Sequence, residues 1–381
     1  MKSRRFWRFL TKKYEPWMRF WILRKTLNYT KKEKFFRIIY IATRISLLWY
    51  FSVKIRNKFT RKIKIGFGPI VRDRYDLSVQ KWRVDPIVDQ INKTSSKYSA
   101  DIFFEPQELA KFDISIIVKE FNSEYYPIIE QQKKQGKMFI FDIVDNPACT
   151  EESSLKYHEN PDFIRLMDGI IASSPLHVKD MEPFDKSVVL IEHPIINKAH
   201  CRYKRRKHLT VIWQGYIGNS GCMKKLRPIL KRIQEETQRD IKFVYSTNCE
   251  SRTEGIIRYV KWKFHHWQKM LAQADIGVVI KPQQDKWQQR KCSNKVVTYM
   301  VAGLPVVCTP TESDKLVIQH GKTGYFAYTD QEWYRYLKEL IENPELRSVV
   351  GKAARTYVMD NFNVKKITDK YITFIEQLRA Q

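Results

Sequence analysis

Lys291-Cys-Ser-Asn-Lys-Val-Val-Thr-Tyr-Met-Val-Ala-Gly-Leu-Pro-Val-Val-Cys-Thr-Pro310 joins a basic, polar lead-in to an apolar run ending at Gly303, then turns through Gly303-Leu-Pro305 into Val306-Val307-Cys308. Val296, Val297, Met300 and Val301 recur at near-helical spacing, so the stretch reads as a helix delivering its chain to a short buried strand. Ser293 or Asn294 stands where a cap is expected. A helix start flanked by Lys291 and Lys295 suits an anion, because free backbone N–H groups and the positive dipole end add to two ammonium charges; a diphosphate is the matching guest. An ordinary αβ unit with solvated lysines would explain the same residues taken alone, so the neighbours decide.

Those neighbours repeat the pattern. Thr210–Trp213, Ile241–Tyr245 and Asp275–Ile280 read as strands and Lys224–Gln238 and Trp262–Ala274 as helices, with Gln214-Gly-Tyr-Ile-Gly-Asn219 a glycine turn between the first pair. Glu312–His320, Tyr325–Tyr328, Asp330–Glu342, Pro344–Asn361 and Val364–Leu378 finish the series. Upstream, Lys62–Pro69, Ala100–Phe104, Asp113–Val118, Lys137–Asp142, Gly169–Ala172 and Ser187–Ile191 are further short apolar strands, with helices near Val84–Asn92 and Ser123–Lys134. Short, nearly continuous apolar strands alternating with helices indicate parallel sheets covered on both faces. A chain of 381 residues accommodates two such domains. The basic, Pro194-broken segment near 195–207 reads as the hinge between them. The expected organisation is a segment 1–61, a domain over 62–200, and a second over 201–363, with a last helix 364–379 packing back on the first.

Ligands of parallel sheets sit at the carboxyl ends of strands. In the first domain these ends offer Gly66-x-Gly68 and Asp142-Ile-Val-Asp145. The two glycines lack the third of a dinucleotide fingerprint and run into Pro69, which disfavours a nicotinamide cofactor; they read as permitting close approach of an acceptor or of the other domain. One of Asp142 and Asp145 can cap the following helix, leaving the other as a base or acceptor-hydroxyl ligand. His158 lies in the polar loop that follows and, with Gly68, is an acceptor-side candidate. Tyr259–Trp262, read as a loop before a helix, is a segment for contacting a base.

The net charge of +28 is unevenly placed. Residues 1–65 hold 20 Lys and Arg against Glu15 and Glu33, so 18 of the 28 net charges lie in about a sixth of the chain. This basic segment interleaves large aromatics, and Phe35–Phe51 approaches the length of a membrane span. Arg37 and Arg44 fall inside it on one helical face, where each would cost several kcal/mol at a bilayer centre. A helix lying in the interface of an anionic membrane avoids that cost. A tilted span and RNA binding are the other readings of residues 1–60, with nucleic acid ranked last. Six scattered cysteines, with no C-x-x-C and no Cys/His cluster, speak against a zinc site and a disulfide framework and suit a reducing, cytoplasmic setting. No cleavable signal peptide is evident, since Met1–Tyr14 has charges with no apolar core behind them.

The order Trp213-x-Gly215-x-x-Gly218, Trp262-x-x-x-x-Trp267, Leu271-Ala-x-Ala-Asp-Ile-Gly-Val278, Lys295-x-x-x-Tyr-Met-x-Ala-Gly-Leu-Pro-Val-Val307 and Gly321-x-Thr-Gly-Tyr-Phe326 resembles the C-terminal domain of GT-B glycosyltransferases of the group 1 type, from about Leu209 to Phe362. Residues 62–200 are similar to the family's acceptor domain in layout only. The resemblance implies an α/β fold of two Rossmann-like, doubly wound parallel-sheet domains facing a cleft. It implies nucleotide sugar on the second domain, a glycan or lipid-linked acceptor on the first, retention of anomeric configuration, and no metal or other cofactor. Donor contacts then fall on Gly215, Gly218, Asn219, Trp262, Lys291, Ser293, Asn294 and Lys295, with Lys295 and Asp142 or Asp145 serving the chemistry. The family commonly has two glutamates at the positions of Arg290 and Thr298. Thr298 still offers a hydroxyl to the ribose; Arg290 reverses the charge, which suits a phosphate or an acidic donor sugar, or a chain that has lost donor binding. A glycosyltransferase at a membrane surface is therefore the first expectation, and a non-catalytic partner of the same fold the second.

Overall fold

A computed structural model describes residues 61–70, 79–119, 124–144, 161–196, 208–263 and 267–381. The aromatic-basic segment 1–60, Asp145, His158 and most of the expected hinge lie outside the described residues. Ile63–Gln381 form one compact unit, which contains both αβ domains.

The first domain runs β1 (Ile63–Gly68), α1 (Asp85–Thr94), β2 (Tyr98–Ile102), β3 (Ile114–Val118), α2 (Tyr125–Lys133), β4 (Met138–Ile143), α3 (Pro161–Leu166), β5 (Gly169–Ala172), α4 (Pro175–Met181) and β6 (Val188–Leu190). Its six strands are all parallel in the order β2-β1-β3-β4-β5-β6. The central strands Ile114–Val118 and Gly169–Ala172 are buried at every position, which is why they read as unbroken apolar runs rather than alternating ones.

The second domain runs β7 (His208–Gln214), α5 (Leu226–Thr237), β8 (Asp240–Thr247), β9 (Arg252–Glu254), β10 (Ile257–Lys261), α6 (Trp267–Ala272), β11 (Ile276–Val279), α7 (Lys286–Arg290), α8 (Asn294–Val301), β12 (Val306–Cys308), α9 (Glu312–Val317), β13 (Tyr325–Phe326), α10 (Asp330–Glu342) and α11 (Pro344–Asn361). Its sheet has the order β13-β12-β11-β7-β8-β10-β9, with only β9 antiparallel. Residues from α5 and α10 share one core with one face of this sheet, and residues from α8 and α11 share another with the opposite face.

The last helix, α12 (Val364–Ala380), leaves the second domain and packs on the first. Ile367, Tyr371, Phe374, Ile375 and Leu378 enter the core that holds Ile65, Ile91 and Ile140. Its docking needs Gly169 at the head of β5, where a Cβ would stand 2.6 Å from Leu378. A buried polar knot fixes the same helix: Arg83 donates to both Asp142 oxygens at 2.8 Å, and the Tyr371 hydroxyl donates to Oδ2 at 2.7 Å. Arg83 Nη2 also reaches the Ile191 carbonyl at 3.1 Å. The two domains touch directly through Trp82 and Trp267, ring centroids 5.4 Å apart, and through Ile195 N–H donating to the Phe362 carbonyl at 2.9 Å.

Several expected boundaries move. Tyr259 to Lys261 belong to β10, where the Tyr259 ring packs edge to face against Tyr245, centroids 5.3 Å apart, inside the core, so the segment expected as a loop is a strand and Trp262 follows its end. The helix expected over Glu312–His320 stops at Val317, where Ile318 turns extended. In the first domain the close approach that Gly66 and Gly68 permit is made by Phe112 and Phe103. A Cβ on Gly66 would meet the Phe112 ring at 2.5 Å, and one on Gly68 the Phe103 carbonyl at 2.3 Å. These glycines serve packing within their own domain rather than an acceptor.

Candidate functional site

Strand order alone points to one place. In the second sheet β7 lies between β8 and β11, so the order reverses there and the crevice at the carboxyl ends of β7 and β11 is the favoured ligand position. Gly215 follows β7; Lys281 lies two residues past the end of β11. The start of α8 brings Lys295 to them.

Tyr299 locks this helix onto the sheet. Its hydroxyl accepts the Gln214 backbone N–H at 2.7 Å, and its ring lies where a Cβ on Gly277 would be, 2.5 Å away. One turn earlier, Lys295 Nζ lies 5.3 Å from the centroid of the buried Trp213 ring and 3.0 Å from where a Cβ on Gly215 would stand. Gly215 is thus the residue that lets the ammonium reach the backbone at the end of β7. Burial first, then the charges of Lys291 and Lys281, push Lys295 down to about 8. Among the described residues no carboxylate forms a salt bridge with it. Lys281 differs: its ammonium is held by Asp314 at 2.9 and 3.1 Å and by Thr311 at 3.5 Å, inside the capping box that opens α9. Lys291 lies over the Trp287 ring at 3.6 Å.

Ser293 occupies the cap position of α8, yet its hydroxyl makes no bond to the helix and is buried without a partner. The expected capping bond is therefore not made, and no side chain caps the first turn. Asn294 opens the helix beside it. The turn after β7 is held by Asn248, whose side-chain oxygen accepts the Ile217 N–H at 2.8 Å; Gly218 and Asn219 lie on that turn. Trp262, 37% exposed, stands at the carboxyl end of β10, its N–H donating to the Thr247 carbonyl. It lies on the same sheet edge as Gly215.

Other expected residues lie elsewhere. Thr298 is buried within α8. Asp142 is the penultimate residue of β4, fully buried, with both oxygens taken by Arg83 and Tyr371, so its carboxylate holds the fold together instead of facing an acceptor. Arg290 makes a two-pronged ion pair with Asp180 of α4 at 2.7 and 2.9 Å, joining the two domains. Nothing in the sequence pairs positions 180 and 290; only the fold does. Because the pair is bidentate and mostly buried, a double-mutant cycle with Arg290→Ala and Asp180→Ala is expected to show a coupling of about 1–3 kcal/mol in unfolding. Additive single effects would refute it.

Residues 214–343 match the family described as glycosyl transferases group 1. An uncharacterized glycosyltransferase of Methanocaldococcus jannaschii is 31% identical over 88 residues, 23% of this chain and 22% of that protein. Sucrose-phosphate synthase from Thermosynechococcus elongatus superposes with a TM-score of 0.60 at 10% identity, covering 84% of this chain and 100% of that one. HepE of Anabaena, solved with UDP and glucose, does so with a TM-score of 0.59 at 12% identity, covering 83% and 100%. TarM gives 0.54 at 13%, covering 68% of this chain and 54% of TarM. The chain thus spans about a fifth of the M. jannaschii protein and about half of TarM. The paired parallel sheets give this chain the GT-B fold of these solved structures, and its second domain carries the match to the group 1 glycosyltransferase family.

Proposed function

We propose that this chain transfers a sugar from a nucleotide-sugar donor to a lipid-linked or cell-surface glycan acceptor at a membrane surface, retaining the anomeric configuration and using no metal. One observation carries the reading: Lys295 holds a half-buried ammonium against the backbone of Gly215, at the strand-order switch, and no described carboxylate forms a salt bridge with it. Such a charge is unfavourable in the free protein and is relieved by an anion. A diphosphate placed there receives Lys295, Lys291, the first-turn N–H groups of α8 and the turn Gly215–Asn219, all of which stabilise negative charge growing on a departing nucleotide. Trp262 offers a flat surface to a base on the same edge. HepE, solved with UDP and glucose, supports a nucleoside diphosphate as the ligand. The pneumococcal O-GlcNAc transferase GtfA, solved with UDP and GlcNAc, supports a nucleoside diphosphate and a sugar as ligands of this fold. Arg290 in its pair with Asp180 orients α7 against α4 and so sets the closed form of the cleft, in which water is excluded.

Membrane attachment rests on the basic-aromatic residues 1–60; among the described residues no helix is long and apolar enough to cross a membrane. The test of the activity is calorimetry and thermal shift of the purified chain with nucleoside diphosphates and nucleotide sugars, followed by turnover on membrane extract. One nucleoside diphosphate is expected to raise the melting temperature, since a ligand at a hundred times its Kd adds about 2.7 kcal/mol. A chain that binds none of them is a non-catalytic partner of the same fold, the reading that Arg290, committed to Asp180, and Thr298, buried, would then favour. Deleting residues 1–60 is expected to release the folded body from anionic liposomes; unchanged partition refutes the attachment.

A further inference from the structure

The domain junction beside Lys295 also holds polar groups that the fold leaves unused. Just past β6, His193 lines a small cavity of about 20 Å³ whose other walls include Ser173 from the first domain and Ser293, Asn294 and Ser313 from the second. His193 is 6% exposed, and neither ring nitrogen has a hydrogen-bond partner; the hydroxyls of Ser293 and Ser313, 7% and 5% exposed, have none either. Ser173 is different, since its hydroxyl donates to the Val144 carbonyl at 3.0 Å and meets His177 Nδ1 at 3.3 Å. Each unsatisfied buried polar group costs about 1–3 kcal/mol. Four such atoms around one cavity are a set of contacts waiting for a ligand.

The chemistry of the set selects the ligand. Burial, reinforced by the Arg83 guanidinium, holds the His193 imidazole well below its ordinary pKa, so it is neutral, with one N–H donor and one acceptor nitrogen. The serine hydroxyls likewise both donate and accept. A hydroxyl does both as well, whereas a phosphate oxygen only accepts and leaves the accepting half of the set unused. The cavity has room for about one water-sized group, hence one hydroxyl. Ser293 stands two residues before Lys295, and in a nucleotide sugar the sugar is bonded directly to the terminal phosphate. We propose that His193, Ser293 and Ser313 grip one hydroxyl of the transferred sugar, making His193 a determinant of which sugar is accepted. The proposal rests on the glycosyltransferase reading. Because His193 belongs to the first domain and the serines to the second, the bound hydroxyl also ties the domains together.

Titration calorimetry of the full chain with UDP, GDP and ADP, each alone and as hexose and N-acetylhexosamine conjugates, tests it. One conjugate is expected to bind at least about tenfold more tightly than its own nucleoside diphosphate. His193→Ala should erase that increment while leaving the bare diphosphate affinity within about twofold, and His193→Gln, which keeps a donor and an acceptor, should retain part of it. Ser313→Ala, a smaller change that guards against misfolding of His193→Ala, should lower the increment about threefold or more. An unchanged increment in Ser313→Ala and folded His193→Ala overturns the proposal. Diphosphate binding with no increment for any conjugate overturns it alone; no diphosphate binding overturns the glycosyltransferase reading as well.

Discussion

Asp142→Ala is expected to lose about 3–5 kcal/mol of stability, because it strands the fully buried Arg83 guanidinium without its counter-charge. The same substitution removes the acceptor for Tyr371, so the grip on α12 weakens from both sides. The loss should show as a fall in the thermal midpoint on the order of 10 °C and as early proteolysis of the C-terminal helix. Asp142→Asn keeps the shape but not the charge, so it recovers little. The variant that decides is the triple replacement Asp142→Leu, Arg83→Met, Tyr371→Phe. It removes the charge together with both partners, and exchange of a buried ion pair for apolar groups of similar volume is often neutral or better. Normal turnover by this triple variant shows that the carboxylate serves the fold. Wild-type stability in Asp142→Ala combined with lost turnover would instead return Asp142 to the chemistry.

This residue also shows where sequence reasoning ends. The strand Lys137–Asp142 was legible because its apolar run is buried on both faces, and the Lys291–Pro310 stretch was legible because helix period, turn glycine and buried strand occur in succession. The register of these runs with distant partners was not. Asp142 is matched by residues 59 and 229 positions away, and Arg290 by one 110 positions away. A carboxylate near the end of a strand looks the same in sequence whether it faces solvent or a guanidinium. The same limit applies to His193: the sequence places it just past a strand, where ligands of parallel sheets sit, but gives it no motif, and the fold singles it out by leaving both its nitrogens unpaired in a cavity shared with Ser293 and Ser313. In contrast, Gly215 and Lys295 were singled out separately, and the strand order brings them together.

Lys295→Met should move stability and affinity in opposite directions. In the free protein the ammonium is pushed down to about 8 from an ordinary value of 10.5, so holding its charge at pH 7 is unfavourable by roughly 1–3 kcal/mol, and an apolar side chain of similar length relieves that strain. The variant is therefore expected to melt higher than wild type while binding its nucleoside diphosphate about 10–100-fold more weakly, the size of a lost hydrogen bond between charged groups. The pH dependence separates this from a packing effect. The unfolded lysine keeps its proton up to about 10.5 and the folded one only to about 8, so the stability of the ligand-free wild type rises with pH across that window. A bound diphosphate restores the proton. Below pH 8 the ammonium is charged with and without ligand, and its contribution to affinity is flat; above pH 8 binding takes up a proton, and affinity falls by up to about tenfold per unit. Lys295→Arg, which stays charged throughout, should lose this alkaline fall, and Lys295→Met should lose both the fall and the affinity. A methionine variant that melts lower and binds diphosphate as wild type does would remove Lys295 from the site, and with it the observation on which the transferase reading stands.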